Sequence, residues 1–236
     1  MRIPRIFVRR ALLPPSATAA AVLLLAAASA FAGEAPRVTA TRLLAADEIY
    51  AGAVPAAARW DVTPTLVVMG RSRWTDERAI AALRETAEIL AQCGVRVARA
   101  SLHRVDGPER YADFSTAVGR DLAGRLPFPK PTLYFVRDTR QRIAFDAEAI
   151  GRGNSASRPE LAHTVWIIES ARDPGVALAH ELAHVLMDSG EHVDAPGNLM
   201  RDETDPGSTA LTPGQCRRLT ATGAELGLLA PAGGAR

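Results

Sequence analysis

The chain has 236 residues, 47% hydrophobic and 23% charged, which suits a folded globular protein and excludes the low-hydrophobicity, high-charge profile of disorder. Its length allows one sizeable domain with a real core. The formal charge is +2, but residues 1–32 hold four arginines and no acid, leaving 24 basic against 26 acidic residues and a net −2. No basic stripe interleaved with aromatics remains, so composition argues against a nucleic-acid partner.

Arg2, Arg5, Arg9 and Arg10 precede the apolar stretch 17–28, and Ala30-Phe31-Ala32 follows it. A basic head, a short apolar run and a small-x-small site describe a signal peptide over residues 1–32, cut after Ala32. The alternative is an uncleaved anchor, for which the run is short. Cleavage would leave a secreted or periplasmic protein, with no later segment pure and long enough for a membrane helix. Export would put the two cysteines, Cys93 and Cys216, in an oxidising compartment, where an even count favours a disulfide. Two small buried thiols are the other reading.

Residues 33–60, rich in Ala, Arg and Pro, read as an N-terminal extension or linker, with one short element around Leu43–Ile49. Leu66-Val67-Val68-Met69 is an apolar, β-branched run ending at Gly70, hence a buried strand. Thr75 then caps a helix with Asp76 and Glu77 in its first turn, where negative charge suits the dipole. Ile80, Leu83, Ala87 and Leu90 follow at helical spacing, and Gly94 stops it. Val95–Ser101 alternates as a half-buried strand, putting His103 at a strand end. Phe114, Val118 and Leu122 share helical spacing. Leu133–Val136 reads as a strand, Phe145–Asn154 as an edge strand and His163–Ile168 as a further strand. Asp173 and Pro174 open a second strong helix. Trp60, Trp74 and Trp166 read as packing residues, and His103 and His163 as ordinary structural histidines. Together these elements predict a mixed α/β domain over residues 61–236, with a compact C-terminal part from about residue 190.

The second helix runs Val176-Ala177-Leu178-Ala179-His180-Glu181-Leu182-Ala183-His184-Val185-Leu186-Met187 and is apolar almost all round, so it is buried. Positions i and i+4 share a helix face, and the His180 and His184 rings can reach one ion. Glu181 beside them can take a proton from metal-bound water, which is the mechanical content of His-Glu-x-x-His. Two buried histidines bonded to neighbours are the bland alternative. Against it, His192 follows Gly190, three of five histidines fall within thirteen positions, and Asn198-Leu199-Met200 comes shortly after.

From His180 through Met200 the chain resembles the metzincin clan of zinc peptidases, whose longer motif adds a turning glycine, a third histidine and a methionine-containing turn. The resemblance implies an α+β, zincin-like fold: a twisted mixed sheet with an edge strand, packed on a backing helix and an active-site helix. It implies Zn2+ held by His180, His184 and His192, Glu181 as general base, Met200 in the turn beneath the site, and an extended peptide added along the edge strand near Phe145–Asn154. The spacing departs from the clan: Met187 stands where the glycine is usual, and Gly190 where the third ligand is. The simplest account is about one more helical turn, with Gly190 as the left-handed residue after it and His192 folding back. Asp188, Glu191 and Asp194 compete for the third ligand position, and Glu203 is a more distant candidate.

The expected activity is that of a secreted zinc endopeptidase, a monomer acting on peptide or protein substrates, with no nucleic acid and no membrane once the leader is cut. The alternatives are a secreted, zinc-stabilised binding domain without turnover and a zinc hydrolase of non-peptide bonds.

Overall fold

The computed structural model describes residues 35–50, 54–139, 147–150, 158–202 and 205–233, with the backbone alone at 147–150. The signal-peptide reading of residues 1–32 and the ligand candidate Glu203 lie outside the described residues. Among the described residues no helix is long and apolar enough to cross a membrane.

In chain order the elements are β1 (Arg37–Ala45), α1 (Ala46–Tyr50), β2 (Trp60–Val62), β3 (Thr65–Met69), α2 (Asp76–Ala91), β4 (Val95–Val97) and β5 (Arg99–Asp106). A 3-10 turn (Glu109–Ala112) leads to β6 (Asp113–Phe114), α3 (Thr116–Arg125), β7 (Thr132–Val136), β8 (Asp138–Thr139) and β9 (Ala147–Ile150). A second 3-10 turn (Pro159–Leu161) precedes β10 (Thr164–Ile168), α4 (Pro174–Met187), α5 (Pro213–Glu225) and β11 (Leu229–Pro231).

Six strands form a mixed sheet in the order β1-β5-β3-β7-β10-β9. The inner four run parallel, and β1 and β9 lie antiparallel at the two edges. This explains the unbroken apolar runs of β3, β7 and β10, every residue of which is buried: parallel strands are covered on both faces. On one face Tyr134 and Trp166, paired in register across β7 and β10, stack with centroids 3.9 Å apart. Phe114 lies 4.3 Å from Trp166, and α3 closes over them at Gly119, where a Cβ would stand 2.7 Å from the Phe114 ring. Alternate residues point to the opposite face, and Phe135 meets Trp74 there with centroids 4.9 Å apart.

Thr75 caps α2 by accepting the Arg78 backbone N–H at 3.2 Å, and Gly94 (φ 70°) follows its end. Helix α2 packs directly against α4: Thr86 Oγ1 donates to the Gly175 carbonyl at 3.0 Å, and a side chain at Gly175 would collide with Glu85. Helix α5 backs α4 from another side, where a Cβ at Gly223 would stand 3.2 Å from Leu186. Cys93, just beyond α2, is disulfide-bonded to Cys216 on α5, a bridge across 123 residues of sequence.

Four sequence readings change. Residues 37–45, read within an extension or linker, are a nine-residue strand paired along its length with β5; of its residues only Leu44 is buried, so no apolar alternation marked it. The strand expected over Val95–Ser101 is two strands, β4 in the three-stranded sheet β11-β2-β4 and β5 in the main sheet. His103 consequently sits inside β5, where its Nδ1 meets Thr41 Oγ1 at 2.9 Å across the β1 pairing. Phe114 belongs to β6, not to the helix that holds Val118 and Leu122. The expected edge strand Phe145–Asn154 is described only at β9, antiparallel to β10.

Candidate metal centre

Helix α4 begins at Pro174, whose missing N–H costs nothing in a first turn, and buries every residue from Gly175 to Met187 except half-buried Glu181. One turn apart on this helix, the His180 and His184 rings stand edge-on, with centroids 4.5 Å apart. Both are nearly inaccessible.

The helix ends at Met187. Asp188, at φ 45° and ψ 49°, takes the left-handed position, and backbone bonds from Asp188 N to Val185 O (3.3 Å) and Ser189 N to His184 O (3.1 Å) close the last turn. This corrects the role expected of Gly190, which does not adopt positive φ. Aspartate tolerates the left-handed well better than most side chains, and the reversal therefore comes two residues earlier than a glycine signal suggests.

The reversal carries His192 back over the helix. The three Nε2 atoms converge: His180 to His184 at 2.9 Å, His184 to His192 at 3.1 Å, His192 to His180 at 3.3 Å. Among the described residues His180, His184 and His192 form the group able to share one ion. The competing carboxylates Asp188, Glu191 and Asp194 are not part of this group: Glu191 pairs with Arg218 at 2.7 Å, Asp188 lies at the end of α4, and Asp194 is exposed.

Each ring is oriented through its other nitrogen. His180 Nδ1 donates to Leu199 O at 2.6 Å and His184 Nδ1 to Ser189 O at 2.6 Å. A carbonyl oxygen only accepts, so in both rings the proton sits on Nδ1 and the Nε2 lone pair faces the cluster. His192 Nδ1 lies 3.3 Å from Asp202 Oδ1, which favours the same tautomer. Three lone pairs aimed at one point repel unless a cation lies between them, and orientation of ligand imidazoles by carbonyl and carboxylate partners is characteristic of metal sites. Burial, and then the neighbouring His180, hold the His184 pKa down to about 4; burial likewise lowers that of His180. The two rings are therefore neutral and able to ligate at neutral pH. The donor set fits a divalent transition metal, with neutral imidazoles as its ligands.

The loop after His192 is built on Asn198. Its Oδ1 accepts the Met200 backbone N–H (2.9 Å) and Gln215 Nε2 (3.0 Å), while its Nδ2 donates to Gln215 Oε1 (3.0 Å). Gln215 also completes a capping box with Thr212 at the start of α5. Leu199 N donates to Ala210 O (2.7 Å), and Met200 O accepts Val193 N (2.8 Å), tying the turn to the His192 segment. Met200 is fully buried. Asp202, Asn198 and Gln215 are the orienting residues that the motif itself did not indicate. The capping box Thr212-Pro213-Gly214-Gln215 was a readable signal for one of them.

No protein-family model matches the chain, and no curated protein sequence does. Among solved structures, the fold is similar to metalloproteinase-II from Bacteroides fragilis, with a TM-score of 0.50 and 16% identity. That match covers 71% of this chain and 54% of the other, so the chain spans about half the length of that neighbour. The fold and the cluster together define an α+β domain similar to a metalloproteinase, carrying a three-histidine candidate metal centre.

Proposed function

We propose that the protein is a secreted zinc peptidase of metzincin type, with His180, His184 and His192 as ligands and Glu181 as general base. The observation that carries this reading is the convergence of three oriented Nε2 atoms beside a helix-borne carboxylate. A tetrahedral zinc with bonds of about 2.0–2.1 Å separates its ligand nitrogens by about 3.3–3.4 Å. The distances here, 2.9–3.3 Å, fall within a few tenths of that. Three histidines leave a fourth position open, as catalytic sites require. The side chain of His192 is 34% exposed, which leaves this edge of the cluster open to solvent.

When bound, the metal supplies Lewis acidity, acidifying a water and polarising the scissile carbonyl. Glu181, next to His180 on α4, takes the proton of the attacking water and returns it to the leaving amine. Its position on a buried helix packed against both α2 and α5 fixes where that carboxylate can reach. The edge strand β9 suits an extended peptide, which would add as a further strand.

Glu181→Gln tests the reading. The variant should keep one equivalent of zinc and lose chelator-sensitive cleavage of a peptide library by at least a hundredfold. Cleavage that persists in Glu181→Gln, or a wild-type protein that retains zinc and cleaves no peptide, would contradict it.

A further inference from the structure

Most arginines of the domain are engaged. Arg96 pairs with Asp61 at 2.6 Å, Arg125 with Asp121 at 2.7 Å and Arg218 with Glu191 at 2.7 Å, while Arg78 and Arg84 donate to carbonyls. Among the described residues, the side chains of Arg59, Arg99, Arg172 and Arg217 make no ion pair. Two of them, Arg59 and Arg217, line one cavity of about 530 Å3.

The remaining wall of that cavity is largely apolar. The Cys93–Cys216 disulfide, Leu211 and Pro213 contribute to it. Gly94 also lines it, and a Cβ there would stand 3.7 Å from Arg59 Nε, an ordinary contact. The walls are fixed before any ligand arrives. The disulfide joins α2 to α5, and the Gln92 amide, next to Cys93, holds Thr209 O at 2.9 Å and Leu211 N at 2.8 Å. Two guanidinium groups on one preformed cavity, with no carboxylate between them, complement a ligand carrying two acids. Guanidinium groups grip carboxylates through paired, charge-assisted hydrogen bonds. The volume is that of a ligand-sized site and exceeds what a small free anion fills, while the apolar wall suits the aliphatic stems of adjoining side chains.

The cavity is also joined to the metal centre through one strap of chain. Leu211 lines the cavity, and its neighbour Ala210 accepts Leu199 N and donates to Gly197 O. The Leu199 carbonyl in turn orients His180.

We propose that this cavity docks an acidic segment of a polypeptide substrate, with Arg59 and Arg217 each taking a carboxylate; the word substrate rests on the peptidase reading above, and the binding itself does not.

The test uses the full chain as the zinc-loaded Glu181→Gln protein and two fluorescein-labelled peptides, one alternating Glu with Leu and its isostere with Gln for Glu. By fluorescence anisotropy the acidic peptide should bind at least tenfold more tightly than its isostere. Arg59→Gln/Arg217→Gln should abolish that preference. Arg59→Lys/Arg217→Lys, which keeps the charge, should retain most of it, and Arg99→Gln/Arg172→Gln should leave it unchanged. Equal losses in the two Gln double variants would reduce the effect to diffuse electrostatics and overturn the proposal, as would equal binding of both peptides. In the catalytically intact protein, Arg59→Gln/Arg217→Gln should raise KM for an acidic-flanked substrate and spare a short neutral one. Binding as expected with no peptide cleaved would support the docking site and contradict the peptidase reading. Cleavage without preferential binding would do the reverse.

Discussion

His180 donates its Nδ1 hydrogen to the carbonyl oxygen of Leu199, 2.6 Å away and nineteen residues further along the chain. The bond joins the histidine-bearing helix α4 to the methionine-containing turn, and it presents the Nε2 lone pair to the cluster. Since the acceptor is backbone, its placement depends on what holds the turn, and that is chiefly Asn198.

Asn198→Ala should therefore damage the centre from a distance. It strands the buried Met200 N–H and takes the acceptor from Gln215 Nε2, while Gln215 Oε1 keeps the Thr212 N–H, and leaving a buried polar group unpaired costs about 1–3 kcal/mol. Urea denaturation should show that loss in the metal-free protein, and competition with a chromophoric chelator should show weakened zinc binding. Unchanged values in both would mean that the amide pair does not hold the turn.

Asp202 is the one orienting partner that a single substitution can remove cleanly, because the other two acceptors are carbonyls. Asp202→Ala should lower zinc affinity by about 10–100-fold, the usual effect of losing such a partner. Its side chain is 74% exposed, so stability should move by no more than about 0.5 kcal/mol. A large fall in stability with intact zinc affinity would assign Asp202 a structural role instead.

The lowered His pKa values set the pH response of the metal-free protein. Well above about pH 6.5, His180 and His184 are neutral in both folded and unfolded states, and their titration contributes nothing. As the pH falls below 6.5 the unfolded chain takes up protons that the folded His184, held to about 4 by burial, does not. Stability is thus lost between about pH 6.5 and 4, by roughly 3 kcal/mol at about 1.4 kcal/mol per pH unit. Urea midpoints at pH 7.5 and pH 4.5 check the sign, and His184→Asn should flatten much of the difference. A metal-free protein that gains stability on acidification would contradict the burial of these rings.

Reducing the Cys93–Cys216 bond opens a long loop. For a bridge spanning 123 residues, the chain-entropy model gives about 5 kcal/mol of lost stability. Cys93→Ser/Cys216→Ser should show a fall of that order in denaturant. No change would mean that the strands and helices enclosing the bridge hold without it.

The parts of the molecule legible in the sequence are those whose chemistry is local. The Thr75 cap, the Gly94 stop and the continuous apolar runs of β3, β7 and β10 act over a few residues. So does the pairing of His180 with His184 on one face of a buried helix. β1 was illegible because eight of its nine residues are not buried; only its hydrogen bonds to β5 make it a strand. The split of Val95–Ser101 into β4 and β5 depends on which sheet each half joins, which alternation does not encode.

The third histidine of the cluster shows the same division. His192 stood out by proximity in sequence, whereas the turn that delivers it uses Asp188 in a conformation that Gly190 signals more strongly. Asp202, Asn198 and Gln215 act on rings and turns through contacts made only after folding. Spacing alone marks neither Asn198 nor Asp202 as an orienting group, and the Thr212–Gln215 spacing marks only a helix start, not the contact that Gln215 makes.

The most direct test is X-ray absorption at the zinc edge on the zinc-loaded full-length protein, beside His192→Ala. The predicted result is one zinc with three imidazole nitrogens at about 2.0–2.1 Å and one further light-atom ligand, reduced to two imidazoles in the variant. A protein that does not retain zinc, or a spectrum that His192→Ala leaves unchanged, would contradict the three-histidine centre.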